Sequence, residues 1–321
     1  MNETYDVVVV GGGAAGLSGA VALARSRRSV LVVDAGDPRN APADGVHNYL
    51  GLDGTPPGEL VRRGRAEVTG YGGELVADHV TAAEPLADGG FGLVLAERGP
   101  VRARRLLLAT GLVDELPDVP GLAARWGRDV LHCPYCHGWE VRDQAIGILG
   151  TGPMTLHQAM LFRQLSDDVT VFSHTGPALS DDEREQLAAR DIAVVDGEVT
   201  GIEVTGDRLT GVRLASGEVV ARAALAVATR TTARIDGFAG LGLETAELEV
   251  SGQVIATYVP SDPIGATSVP GVWVAGNITD PRGQVMASAA AGLGAGAVIN
   301  ADLAQEEMRE AVAARRTAAV P

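Results

Sequence analysis

The chain has 321 residues, 26 of them basic and 41 acidic, giving a formal charge of −15, and it contains 42 glycines, two cysteines and no lysine. Without lysine there is no Schiff-base chemistry of the pyridoxal phosphate or aldolase kind and no P-loop lysine for an ordinary triphosphatase, and two cysteines cannot staple a small secreted fold. The acidic balance repels phosphate backbones, so nucleic acid is not an expected partner, while 46% hydrophobic residues supply ample cores for two domains of roughly 150 residues each.

The amino end predicts a strand over Tyr5 to Val10, a glycine turn, an Ala-rich helix over Leu17 to Arg27, and a second buried strand from Ser29 to Val33 that ends at Asp34. Val7 to Val10 follows Glu3 and Asp6 and runs straight into glycines, so it does not read as a signal peptide. Gly11, Gly13 and Gly16 form G-x-G-x-x-G between that strand and helix. Gly11 permits the tight turn, Gly13 lets the backbone approach a pyrophosphate, and Gly16 lets helix and strand pack. The helix N–H groups from Ala14 and Ala15 onward then face an anion, and Asp34, followed by Ala35, accepts from a ribose hydroxyl.

Leu106 to Gly111 reads as a buried strand ending at Thr110-Gly111. Val113 to Gly121, with Pro117 and Pro120, is a candidate hinge, and Leu131 to Glu140 reads L-H-C-P-Y-C-H-G-W-E. A second strand, glycine turn, helix and strand follow at Ala145 to Leu149, Gly150-Thr151-Gly152, Pro153 to Leu165 and Val169 to Phe172. Meander-like pieces occupy Ala193 to Arg213 and Arg222 to Ala228, and Thr229 to Leu243, broken by Gly237, Gly240 and Gly242, is the second hinge. The fold class is therefore α/β, with two doubly wound dinucleotide-binding-type domains. Residues 1–114 and 241–321 form the first, and residues 115–240 are inserted as the second, which carries the C-x-x-C. Gly271 to Asp280 precedes an Ala/Gly-rich helix whose apolar stretch, Val285 to Ile299, is about 15 residues long, short for a bilayer of about 30 Å. Glu306 to Pro321 predicts a surface helix fraying into a tail. The expectation is a soluble cytoplasmic protein with no membrane partner.

Cys133 and Cys136 are spaced to close a small, reducible disulfide, with one thiol activated as thiolate. Other readings stand beside it. Zinc would need His132, Cys133, Cys136 and His137 crowded into one tetrahedral site, so no metal is expected. A C-P-Y-C tetrad also occurs in small glutaredoxin-like domains, and a pair of packed free thiols is the plainest alternative.

The order of first glycine unit, C-x-x-C, inserted second unit and the terminal G-V-W-V-A-G-N segment resembles the low-molecular-weight thioredoxin reductases over nearly the full length. L-L-L-A-T-G and G-V-W-V-A-G-N are similar to that family's second and third flavin-contact motifs. The resemblance implies FAD at the first loop, held also by Thr110, Gly111, Gly276, Asn277, Gln284 and Val285. It places His47 and Asn48, in V-H-N-Y-L-G, on a loop passing near the flavin, and points the positive end of the helix beginning near Gln284 at the flavin pyrimidine. It implies a homodimer, with Cys136 the flavin-proximal thiol and Cys133 the interchange thiol.

The chain departs from this family in four places. His137 stands where an acid normally follows the second cysteine, and Asn277 where many members have Asp. In the second loop, Pro153 removes an N–H and Thr155 replaces a small residue. Ser173, His174 and Thr175 replace the His-Arg-Arg that grips a 2′-phosphate. NADPH binding should be weakened by about 2 kcal/mol or more, if each lost charged contact is worth about 1.5–3.

What remains resembles the dithiol oxidases that close disulfides in gliotoxin- and holomycin-type natural products. That likeness implies a small-molecule dithiol as substrate. Its thiolate attacks Cys133, Cys136 passes the electrons to FAD, and O2 takes them to give hydrogen peroxide. His137, with an ordinary imidazole pKa of about 6.5, is the candidate base. The rivals are a thioredoxin reductase-like enzyme fed by NADPH or a protein donor such as ferredoxin, and a non-catalytic flavoprotein that sequesters a dithiol. Tyr135 and Trp139 are candidates to wall an apolar pocket, with core packing the default for an aromatic beside a strand, His132 is a candidate to flank the disulfide, and His79, His157 and His174 read as ordinary.

Overall fold

The computed structural model describes residues 4–318. Glu3, and positions 319–321 of the expected tail, lie outside the described residues. The chain opens with strand β1 (Thr4–Val10), helix α1 (Ala14–Arg25), β2 (Val30–Asp34), α2 (Pro57–Gly70), β3 (Glu74–Ala77), β4 (Val80–Pro85), β5 (Phe91–Leu95) and β6 (Gly99–Leu108). The Val/Leu runs of β1 and β2 are buried because a central parallel strand is covered on both faces. These strands form a sheet in the order β3-β2-β1-β6-β5-β4, parallel as far as β6 and antiparallel beyond it.

After β7 (Leu112–Glu115) come β8 (Val130–Leu131), the one-turn helix α3 (Pro134–His137), β9 (Ile146–Leu149), α4 (Thr155–Phe162), β10 (Val169–Phe172), α5 (Asp181–Ala188) and β11 (Ala193–Val195). β12 (Val199–Thr205), β13 (Arg208–Leu214) and β14 (Val219–Ala221) make a separate antiparallel sheet, and β15 (Ala224–Val227) returns to give a parallel sheet in the order β11-β10-β9-β15-β8. Val119, Leu122, Phe172, Val199, Val212 and Leu225 share the core between these two sheets.

The chain then passes through β16 (Arg230–Ala233), β17 (Ala246–Val250), β18 (Gln253–Tyr258) and β19 (Val272–Val274) into α6 (Val285–Ala318). β19 pairs in parallel with β6, so the carboxyl end completes the first sheet. β7 and β16 pair antiparallel from Leu112↔Ala233 to Glu115↔Arg230, which lays the two passages between the parallel sheets side by side.

Two expectations about helices change. The helix predicted from Pro153 begins at Thr155, because Gly152 to Thr155 is a tight turn in which the Thr155 N–H and hydroxyl both donate to the Gly152 carbonyl. The separate helix expected at Glu306 is the distal part of α6, which runs 34 residues. By length and hydropathy alone α6 is long and apolar enough to cross a membrane, contrary to the expectation of a stretch too short to do so. What fixes α6 is packing: Ala289, Gly292, Ala295, Gly296, Ile299 and Leu303 are buried, several of them in the same core as Leu17, Ala20 and Leu23 of α1. A Cβ on Gly292 would sit 1.9 Å from the Ala15 carbonyl oxygen, so only glycine allows this approach. Farther along, Arg104 bonds Asp6 at 2.8 Å and Glu306 at 2.7 Å, and Arg105 bonds Asp302 at 2.6 Å, tying α6 to the sheet.

Candidate active site

The first glycine loop leaves β1 at Gly11, whose φ of +104° and close approach to the Ala109 carbonyl admit no side chain. Gly16 packs on the Gly11 carbonyl, where a Cβ would lie 1.8 Å away. Gly13 is different: a Cβ there would meet nothing within 4 Å. It is the N-cap of α1, no side chain caps that helix, and Gly13, Ala14 and Ala15 all line a cavity of about 260 Å³. A helix terminus left open toward a cavity presents N–H donors to an anion, which fits the pyrophosphate of a dinucleotide. Asp34 accepts from the Gly12 N–H at 3.0 Å and pairs with Arg65 of α2. Arg65 is a partner that the sequence does not announce, because it sits on an ordinary charged helix face.

The cavity collects residues from distant parts of the chain: His47, Gly111, Cys133, Cys136, His137, Gly276, Asn277, Gln284 and Val285 join the glycine loop on its wall. Gly11, Gly16, Asp34, Ala35, Asn48 and Thr110 do not line it. Gly11 and Gly16 shape the loop from behind, Thr110 donates its hydroxyl to the Arg234 carbonyl at 2.6 Å, and Asn48 donates its amide to the Tyr135 carbonyl at 2.7 Å. Ala35 follows Asp34 just after the end of β2. The Asn277 amide donates to the carbonyls of Asp280 and Gly283, at 2.9 and 2.8 Å, and so braces the turn leading into α6. An aspartate could not make these two donations.

Cys133 and Cys136 are joined as a disulfide with Cα atoms 5.3 Å apart, Cys133 capping the amino end of α3 and Cys136 inside it. Their sulfurs are bonded to each other rather than packed as separate thiols. His137 is the last residue of α3, and its Nε2 is buried with no hydrogen-bond partner. Burial pushes its pKa below the ordinary imidazole value, with the nearby His47 acting in the same direction against Glu140 and Asp44. A neutral imidazole on the wall beside a disulfide can accept a thiol proton. His132 is half-buried, with Nδ1 3.1 Å from the Val227 carbonyl oxygen, and desolvation likewise lowers its pKa. Tyr135 and Trp139, candidates for pocket walls, are instead exposed at 62% and 64%, and Trp139 lies under the Arg142 guanidinium, 4.1 Å from the ring centre. The apolar wall comes from Val46, which opens V-H-N-Y-L-G, and from Pro57, Leu60, Val61 and Trp126, which no motif marks. Arg39 was also silent in the sequence; it makes a bidentate pair with Asp114, at 2.6 Å for both contacts, and the Thr229 hydroxyl donates to the same carboxylate.

At the second glycine loop, the polar groups bond within the protein. Ser173 Oγ accepts from Gly197 N–H at 3.0 Å, and His174 Nδ1 accepts from Val199 N–H at 3.1 Å. Thr151 donates to Ala228 O at 2.8 Å, and Thr155 to Gly152 O at 2.7 Å. The Gln253 amide oxygen lies 3.6 Å from where a Cβ on Gly152 would stand.

Residues 5–318 match the family described as pyridine nucleotide-disulphide oxidoreductase. The chain is 31% identical to thioredoxin reductase sirT of Leptosphaeria maculans, over 92% of this chain and 93% of that one. It is 37% identical to thioredoxin reductase tcpT of Claviceps purpurea over 56% of this chain, spanning 58% of that relative's length. The match to a probable thioredoxin reductase of Arthroderma benhamiae spans 43% of that relative. Among solved structures, HlmI is similar with a TM-score of 0.91 at 45% identity, over 99% of both chains. An oxidoreductase from Agrobacterium tumefaciens gives 0.86 at 33%, over 94% of this chain and 98% of the other.

Proposed function

We propose that this chain, which belongs to the pyridine nucleotide-disulphide oxidoreductase family and is a thioredoxin reductase-like FAD oxidoreductase, works as a dithiol oxidase that closes a disulfide in a small-molecule dithiol. The observation that carries this reading is the juxtaposition of the Cys133–Cys136 disulfide, a half-buried His137 and the first glycine loop around one cavity, while side chains of the second loop bond within the protein.

His137 takes the proton of one substrate thiol, and the thiolate attacks Cys133 Sγ. The Cys133–Cys136 bond breaks and Cys136 leaves as thiolate. The second substrate thiol attacks the substrate sulfur of the mixed disulfide, the product leaves as an intramolecular disulfide, and the departing Cys133 sulfur keeps the second proton. The substrate has then lost two electrons and two protons. Bound FAD supplies the two-electron acceptor for the reduced cysteine pair and the oxygen-reactive centre from which hydrogen peroxide forms. Gly13, Ala14 and Ala15 would hold its pyrophosphate, Asp34 its ribose, and Asn277 the turn beside it. Homodimer assembly, a cytoplasmic setting and the division into residues 1–114 with 241–321 and residues 115–240 belong to the same proposal. The antiparallel pair of β7 and β16 supports crossings near residues 115 and 230, while Ala233 and Phe238 share the core of the first sheet.

The names of the relatives favour a second reading, a reductase fed by NADPH or a protein donor. Anaerobic mixing separates the two. A small dithiol such as dithiothreitol should bleach the flavin within the dead time of manual mixing, while excess NADPH should leave it oxidised. Bleaching by NADPH together with NADPH-dependent reduction of a disulfide would establish the reductase instead.

A further inference from the structure

His137 Nε2 is buried without a partner and lines the cavity, a placement suited to a group whose partner arrives with the substrate. His47 lines the same cavity from the loop between β2 and α2. Its Nδ1 lies 3.4 Å from Asp53, and its Nε2 lies 3.3 Å from Glu140 Oε1, on the turn just beyond α3. Glu140 thus touches a ring that comes from 93 residues earlier in the chain, and it stands three residues after His137 in the sequence. Asn48, next to His47, reaches the same segment through the Tyr135 carbonyl.

We propose that Glu140 is a positioning residue of the disulfide site: its carboxylate holds the His47 ring against the C-x-x-C segment and supplies the negative charge against which His137 becomes an imidazolium when it takes a thiol proton. This rests on the dithiol–disulfide reading above and adds a residue to it. A base histidine is helped by a fixed negative charge that stabilises the cation it becomes, and here that charge is held in place by its contact with the His47 ring. The charged and titratable groups that act on His137 are Glu140 and Asp44, which favour its protonated form, and His47, which opposes it. Glu140 acts on His137 directly by charge and on His47 by contact, so its removal and the removal of His47 should move His137 in opposite directions.

The test uses the FAD-loaded protein and has two readouts. The first is the NMR titration of the His137 ring in the oxidised protein, which needs no turnover. Glu140→Gln should lower its midpoint, Glu140→Asp should restore most of the shift, and His47→Gln should raise it. The second is the pH profile of anaerobic flavin bleaching by dithiothreitol, whose lower inflection should fall with Glu140→Gln by the same amount. An unchanged His137 midpoint in Glu140→Gln overturns the proposal. So does equal loss of FAD and melting temperature in the Gln and Asp variants without a His137 shift, since that marks a merely structural contact. If His137 shifts as expected but no dithiol bleaches the wild-type flavin, the dithiol oxidase reading fails while the action of Glu140 on His137 stands.

Discussion

At the scale of single residues, the chemistry concentrates in one turn of helix. The disulfide caps and occupies α3, and His137 closes it. Cys133→Ser and Cys136→Ser should each abolish dithiol-driven bleaching, because exchange needs both sulfurs; a protein that only sequesters a dithiol would keep binding it after either change. His137→Gln should slow the bleaching step by roughly 10²–10⁴-fold, the usual contribution of a positioned general base, with little effect on bound FAD absorbance. The same burial that keeps His137 neutral links it to stability. His132, His137 and His174 all have folded-state pKa values lowered by burial, so the unfolded chain binds more protons than the folded one. Their contribution is present in full above the unfolded value of about 6.5 and is lost as pH falls through the lower folded values. Thermal unfolding of the FAD-loaded protein should therefore show its midpoint dropping as pH is taken below about 6.5, before carboxylates titrate; a flat midpoint down to pH 5 would contradict this.

At the scale of elements, α1 and α6 meet through small residues, and the amino ends of both line the cavity. Gly292→Ala places a methyl carbon on the Ala15 carbonyl, and overpacking of this kind typically costs about 1–3 kcal/mol. Because Ala15 is itself a cavity residue, this variant should also weaken FAD retention, measured by flavin release on dilution, whereas Ser180→Ala, which removes the capping box of α5 remote from the cavity, should cost about 1 kcal/mol and leave FAD retention alone. Legibility in the sequence follows the same physics. β1, β2, β9 and β10 were readable because parallel strands buried on both faces are written as unbroken apolar runs, and the glycine turns because their backbones admit nothing else. The cysteine pair was readable because its spacing carries its chemistry. The extent of α6 was not, since its inner face is alanine and glycine rather than a leucine stripe. Nor were Arg39, Arg65 and Glu140, each a charged residue whose partner lies far away in sequence. Trp139 misled for the opposite reason: a large aromatic beside the cysteines suggested a wall, yet its ring is stacked under Arg142 at the surface.

At the scale of the whole molecule, the loop between β2 and α2 joins the first sheet to the segment that carries the disulfide. It does so through the Arg39–Asp114 pair, Asn48 to Tyr135 and His47 to Glu140. Asp114 lies on β7, one of the two strands that pass between the sheets, and Thr229, its other partner, immediately precedes β16. Burial alone would raise the Asp114 pKa, yet Arg39 beside it holds the carboxyl below the usual range, so this is a charge that depends on its partner. The two ends of the bridge are not equivalent: the side chain of Asp114 is 7% exposed and that of Arg39 is 29% exposed. Removing Arg39 leaves a carboxylate on the cavity wall supported by one hydroxyl, whereas removing Asp114 frees a guanidinium with a route to water. Arg39→Ala should therefore cost about 1–3 kcal/mol, the range for a polar group left without its partner, and Asp114→Ala less. The double variant should be more stable than the sum of the two single effects predicts, because the stranded carboxylate is gone. Chemical unfolding of the three FAD-loaded variants measures this directly. Equal costs for the two single changes would show that the bridge is solvated from both sides and that other contacts hold the disulfide segment against the first sheet.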